Sequence, residues 1–271
     1  MDKQGRIELI NSRHMVNKSF GVIDEVGIAS LAIECEVSVA TIKKDLKEMG
    51  CIIYRRKNLK IKDLSEYEAS VEQLPLKIVK RMPSYAQKRS VRENIGKKNW
   101  AKVRAVMLEK YNCSCTVCGF KPGDTGMLEV HEQWECDENK TVLKLVDLAL
   151  LCAYCHGFQH LEHTAMLRIR RETWGEDRHK LNIHFMKTNQ CTQEVLQASL
   201  SLSAKKLQDA MFQEHNAIMD MQPDEVVDYR KRKKQLETAS WFYWIFEDMP
   251  LRDEVIVALE NKNKTVVNEF F

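Results

Sequence analysis

Cys115-Thr116-Val117-Cys118, then thirty-three residues, then Cys152-Ala153-Tyr154-Cys155-His156-Gly157-Phe158-Gln159-His160, is the stretch that decides this chain. Two Cys-x-x-Cys knuckles at this separation offer four thiolates to one zinc ion. Four thiolates complete a tetrahedron and leave no open position, so such an ion folds its segment and does no chemistry. The second knuckle runs directly into His156 and His160, which lie four residues apart and share one face of a helix. Between the knuckles, Leu128-Glu129-Val130-His131-Glu132 alternates apolar and polar residues and predicts a strand carrying a histidine. The expectation is a closed structural site built on Cys115, Cys118, Cys152 and Cys155, with a second, open metal site on histidines beside it. His163 is a further histidine nearby but falls off the four-residue register.

The bulk numbers frame this core. A chain of 271 residues can hold two or three small domains, and its 44% apolar residues suffice to pack them. No apolar run approaches the eighteen or more residues of a membrane helix, so no membrane partner is expected. Met1 to Arg6 lead into no long apolar segment, which argues against secretion. Four of the nine cysteines have metal spacing, and Cys35, Cys51, Cys113, Cys136 and Cys191 are scattered. That usage fits a reducing cytoplasm and a zinc site. The net charge of +3 is mild, but Lys77 to Arg104 holds ten Lys/Arg against the single acid Glu93, with Tyr85 and Trp100 interleaved. Such a stretch predicts a surface that contacts phosphates.

The expected class is α+β and mostly helical. Residues 1–63 predict a small helical domain: helical character over Ile7–Met15, pieces at Ile23–Val26 and Ile28–Cys35 punctuated by Gly27, and a helix from Val39 to Met49. Ser38 is a good N-cap for that last helix, and Gly50 is a natural residue to follow it. Cys51 to Ile61 predicts two short strands around the basic tip Arg55-Arg56-Lys57. Residues 64–99 form a basic connector, and Asn99–Leu108 a helix leading into the first knuckle. Residues 176–271 are helical again, with Pro223 starting a new helix. Arg230 to Lys234 is a basic run, and the aromatic run Trp241 to Phe246 belongs in a core, because that much exposed ring surface would aggregate.

The knuckles, the strand histidine and the Cys-His-x-x-x-His tail together resemble the HNH endonucleases, over roughly residues 100–165. The resemblance implies a zinc-stabilised ββα-metal unit, taken here as residues 100–175, that hydrolyses DNA phosphodiester bonds with a divalent cation. It places His131, His156 and His160 around the catalytic ion, Mg²⁺ or Mn²⁺; imidazole ligands would also accept Ni²⁺ or Zn²⁺. In the family the strand ends in a ligand followed by a histidine base. Here Glu132 stands where that base is expected. Two assignments are open: Glu132 is the base, or His131 is, with the cation on His156, His160 and Glu129. Asp147 stands where the family has a loop-fixing Asn.

Residues 1–63 resemble a DeoR-type winged helix-turn-helix, on Leu31-Ala32 through Val37-Ser38 to Thr41-Ile42-Lys43-Lys44-Asp45-Leu46. That implies DNA contacts by Thr41, Lys43 and Lys44 from the second helix, and by Arg55 and Arg56 from the wing. Lysines stand where the family usually has arginines, which keeps the charge but loses bidentate base reading. The partner so implied is DNA, with a homodimer or a partner protein as further assembly. The rival classes are a zinc-containing DNA-binding regulator without catalysis, and a scaffold that uses both modules for protein contacts.

Overall fold

The computed structural model describes residues 1–79, 83, 85–87, 89–161, 164–165 and 174–267. The chain is α+β and mostly helical, with about 56% of the described residues in helices and two small mixed sheets among them. In chain order its elements are Lys3–His14 (α1), Met15–Asn17 (β1), Phe20–Asp24 (β2), Glu25–Glu34 (α2), Val39–Glu48 (α3), Cys51–Tyr54 (β3), Glu68–Glu72 (α4), Val91–Lys110 (α5), Leu128–Asp137 (β4) and Val142–Cys152 (β5). Ala153–Gln159 (α6), Trp174–Asn189 (α7), Gln193–Asp220 (α8), Pro223–Thr238 (α9), Phe242–Ile245 (β6), Arg252–Glu260 (α10) and Thr265–Val266 (β7) follow. Contacts separate the chain into two compact units, 1–79 with 157–206 and 80–156 with 207–271. Each unit joins two distant stretches of sequence, where the sequence alone suggested consecutive segments 1–63, 64–99, 100–175 and 176–271.

The first unit is nucleated by α1, α2 and α3 around Ile10, Ile28, Leu31, Ile42 and Leu46. Ser38 caps α3 by accepting the Thr41 N–H, and Gly50 takes a positive φ of 72°, both as the sequence suggests. Arg6 and Asp45 form a buried ion pair at 2.7 Å. Two expectations fail. Ile23 is not helical: Phe20–Asp24 is a strand, and α2 starts only at Glu25. Asp24 accepts the Gly27 N–H, so Gly27 sits in the first turn of α2 and does not break it. The hairpin expected over Cys51–Ile61 is also absent. Cys51–Tyr54 pairs in parallel with Gly21–Asp24, and no strand follows among Arg55–Ile61. Once β3 has found a parallel partner brought next to it by α2 and α3, a local antiparallel return has no role in the sheet.

The second unit is organised by the sheet β4-β5-β6-β7, antiparallel between β4 and β5 and parallel between the remaining neighbours. Its central strand β5 is apolar on both faces, with Leu143, Leu145, Leu148, Leu150 and Leu151 buried. A strand covered on both sides reads as a near-continuous apolar run. The aromatic run belongs to the core as expected: Trp241 and Tyr243 are buried, and β6 carries Tyr243. α5 begins well before Asn99, leaves helical geometry at Gly96 (φ 78°) and buries Trp100, Val103 and Met107.

The stretch 64–99 is not a plain connector, since Leu74, Leu76, Val91 and Ile95 are buried. Nor is Lys77–Arg104 a continuous basic surface. Trp100 faces inward, and Tyr85 stacks on Trp241 with ring centroids 5.1 Å apart. Arg89 binds the Ala239 carbonyl, Arg104 the Leu128 carbonyl, and Lys102 pairs with Glu254. Lys77, Arg92, Lys97 and Lys98 are exposed. Lys80, Arg81, Lys88 and His163 lie outside the described residues. No helix among the described residues is long and apolar enough to cross a membrane.

Candidate metal centres

The candidate centres draw on the knuckle 115–118 that precedes β4, on His131 of β4, on Cys152 at the end of β5, and on Cys155 and His156 of α6 with His160 just past its end. The knuckle Cys115–Cys118 turns on itself: the Cys115 N–H donates to the Phe120 carbonyl at 2.9 Å, and the Gly119 N–H donates to the Cys115 carbonyl. The turn needs a glycine, because Gly119 has φ 71°. It is tied to the end of β5 by the Thr116 N–H, which donates to the Leu150 carbonyl at 2.8 Å. β5 ends at Cys152, and Cys155 follows one helical turn later in α6.

The four sulfurs of Cys115, Cys118, Cys152 and Cys155 lie within 4.8 Å of one another. Cys118 Sγ and Cys152 Sγ are 3.7 Å apart, and a tetrahedron with Zn–S bonds of ~2.3 Å has edges of roughly 3.7–3.8 Å. The group therefore can bind a metal such as zinc. Cys155 is fully buried, and Cys115 and Cys152 are nearly so. Crowding has an electrostatic consequence. The hydrogen bond to Cys118 helps lower the Cys115 thiol to about 6, while the neighbouring sulfurs push Cys118 and Cys155 far above the thiol range. Four thiolates this close need a cation among them.

His131, His156 and His160 form the second group, each offering a ring nitrogen within 4.8 Å of the others. The His131 and His156 rings meet edge-on with centroids 5.2 Å apart. His156 and His160 are joined by a single turn of continuous chain. This group is open: His131 and His156 are half-buried and His160 is exposed. Glu129 Oε2 lies 3.5 Å from His156 Nδ1, an ion-pair distance that orients the ring and tends to leave Nε2 for a ligand.

Strand alternation separates the two residues that share the base position. Glu129 and His131 point to one face of β4, Leu128, Val130 and Glu132 to the other. Leu128 and Val130 are buried, so Glu132 continues the inward face. Its carboxylate accepts the Arg92 N–H at 2.9 Å, in the first turn of α5, where the helix dipole favours an anion. Burial pushes Glu132 up to about 7, against the bonds from Arg92 and the Trp134 and Ser90 side chains that favour its charged form. Glu132 thus serves the start of α5 and does not join the histidines, which counts against the assignment of Glu132 as base. Ser90, followed three residues later by Glu93, was the sequence signal of that helix start.

Asp147 is likewise displaced from its expected place. It lies on β5 opposite Gln133, where the register shifts, and not in a loop. Its carboxylate accepts the N–H of its neighbour Leu148 at 2.8 Å. The β4–β5 hairpin is too long and too regular to leave the open loop that such a residue would fix.

In the first unit, Thr41 is half-buried and bonded to the Ser38 hydroxyl, while Lys43 and Lys44 are exposed on α3. Arg55 is exposed. Arg56 is committed to the fold: it pairs with Asp24 at 2.8 Å and with Glu176 at 2.6 Å. Burial pulls Asp24 upward, but the Gly27 N–H and the Arg56 guanidinium outweigh it and hold the carboxyl below its usual range. A guanidinium held by two carboxylates is not available to a phosphate without breaking those bonds.

No protein-family model, no curated protein and no solved structure matches this chain.

Proposed function

We propose that this chain is a metal-dependent DNA endonuclease of the HNH type. The observation that carries the reading is the trio His131, His156 and His160 converging within 4.8 Å on an open face beside four enclosed cysteine sulfurs. A structural zinc module has no need of a second imidazole cluster. In this reading zinc on Cys115, Cys118, Cys152 and Cys155 would hold β5 against α6, His156 and His160 would hold a catalytic Mg²⁺ or Mn²⁺, and His131 would act as the general base that takes the proton of the attacking water. The cation supplies charge stabilisation to the scissile phosphate and its leaving oxygen. Glu129 positions the His156 ring. Glu132 and Asp147 have no part in the chemistry.

DNA engagement falls to the helix pair α2–α3, joined by the turn at Cys35–Ser38, with Lys43 and Lys44 facing solvent. In this reading the pair acts as a helix-turn-helix without the expected wing, and of the basic tip Arg55 and Lys57 remain exposed to reach a phosphate. Replacing Lys43 and Lys44 by Ala is expected to weaken binding to all sequences and to lower the salt slope by about one per lost contact.

A second reading, a zinc-containing DNA-binding regulator without catalysis, is favoured by the inward turn of Glu132, which leaves the family's base position without a base. The deciding experiment is conversion of supercoiled plasmid by purified protein with Mg²⁺ or Mn²⁺, beside a His131→Ala variant that keeps its zinc. Nicking or linearisation by the wild type and not by the variant supports the nuclease. Binding to DNA without cleavage in any divalent ion supports the regulator. Equal cleavage by both proteins removes His131 from the site.

A further inference from the structure

The chain leaves β3 at Tyr54 and crosses residues 55–62 without helix or strand. This loop carries Arg55, Arg56, Lys57, Lys60 and Lys62 and no acid. Like charges this close repel, and a segment of that composition left to itself extends into solvent. Here the loop is held instead. Gln193, the first residue of α8, is buried. Its carboxamide accepts the Arg55 N–H at 3.0 Å and donates to the Arg55 and Lys57 carbonyls, both at 2.9 Å. The Arg56 side chain turns inward to Asp24 and Glu176. With the backbone fixed at both neighbours of Arg56 and Arg56 itself drawn in, Arg55 and Lys57 are left exposed, as are Lys60 and Lys62.

These exposed cations are unmatched. Elsewhere in the same unit Lys3 pairs with Glu48 and Arg13 with Glu34. Among the described residues, Arg55, Lys57, Lys60 and Lys62 have no ion pair. Asp63, the acid that follows them, is occupied locally: it accepts from the Ser65 N–H at 2.9 Å and from the Ser65 hydroxyl at 2.7 Å. A row of unmatched cations on a backbone already fixed fits an extended polyanion. The ordering cost that a free loop would meet on binding falls on the fold, through Gln193.

We propose that loop 55–62 is the main phosphate-contacting surface of the first unit, that it takes the backbone of duplex DNA, and that Gln193 is its positioning residue. The proposal rests on the DNA reading above and extends it. Lys60 and Lys62 join Arg55 and Lys57, and α8, far along the chain, sets where all four stand. Contacts of this kind fix register on the duplex and carry no sequence information. The loop therefore holds DNA of any sequence.

The test is fluorescence anisotropy of the full chain with zinc on a short labelled duplex of arbitrary sequence, over a series of salt concentrations. Replacing Arg55, Lys57, Lys60 and Lys62 together by Ala is expected to weaken binding at least about tenfold and to lower the salt slope by about two to four, more than Lys43→Ala with Lys44→Ala does. Gln193→Met keeps the volume and removes all three bonds to the loop. It is expected to lower affinity and slope in the wild-type background and to change neither in the four-alanine background. Binding is measured where each variant keeps its wild-type circular-dichroism spectrum, and the four-alanine variant, which changes exposed residues only, tests the surface by itself. A wild type that binds no duplex overturns the proposal and the DNA reading together. A four-alanine variant within about twofold of wild type, beside a weakened Lys43→Ala/Lys44→Ala variant, overturns the proposal and leaves that reading standing. An equal loss from Gln193→Met in both backgrounds removes Gln193 from the positioning role.

Discussion

The cysteine and histidine clusters meet at α6, which carries both Cys155 and His156, and differ in almost everything else. The cysteine group is enclosed, with three of its four members buried, while the histidine group is half-buried to exposed. Thiolates packed this closely repel until a cation joins them, so a metal bound to the cysteine group would tie its segments together. Imidazoles carry no such mutual repulsion when neutral, and the exposure of His160 leaves this group open to water. If the proposed function holds, enclosure and ligand charge, more than position in the fold, would distinguish its structural centre from its working one.

The largest effect should come from opening the enclosed cluster. Cys152→Ser with Cys155→Ser removes ligands from both β5 and α6. Structural zinc contributes on the order of 10 kcal/mol to small sites, so loss of bound zinc by metal analysis and loss of the cooperative melt of this unit are expected together. A variant that retained its melt without zinc would erase the distinction between the centres. His131→Ala should do the reverse: zinc content and melt hold, and plasmid cleavage falls by roughly 10²–10⁴.

Smaller changes probe the surroundings of the histidines. Glu129→Gln should weaken Mn²⁺ binding by about 10- to 100-fold in a calorimetric titration, as removal of a ligand-orienting carboxylate does elsewhere. Unchanged Mn²⁺ affinity would mean that the 3.5 Å approach to His156 is incidental. Glu132→Gln should leave both cleavage and Mn²⁺ affinity within a few-fold of the wild type, because the residue faces the start of α5. Loss of cleavage comparable to that of His131→Ala would return Glu132 to the chemistry.

Legibility followed the range of the interactions. Both cysteine knuckles, the His-x-x-x-His face, the Ser38 cap and the helix starting at Pro223 could all be read directly, since each is decided within a few residues. The wing was misread because Arg55-Arg56-Lys57 looks like a hairpin tip locally, while β3 takes a parallel partner thirty residues back. The acidic pair Asp24 and Glu176 claims Arg56 across distances no local pattern reports. Glu132, one of two candidates for the base, turned out to face the start of α5 for a subtler reason. Sequence adjacency to His131 suggested a common site, yet in a strand adjacency means opposite faces.

By itself the sequence determined the ligand chemistry: which side chains can hold a metal, how many, and that sulfur and imidazole ligands fall into separate sets. Ligand type and short spacing are local properties, and local properties survive without a fold. Only the tertiary structure decided that His131 joins His156 and His160, that Glu132 does not, and that each compact unit is assembled from two separated stretches of chain. Those outcomes depend on strand register and on which distant surfaces bury one another, quantities that exist only once the chain has closed on itself.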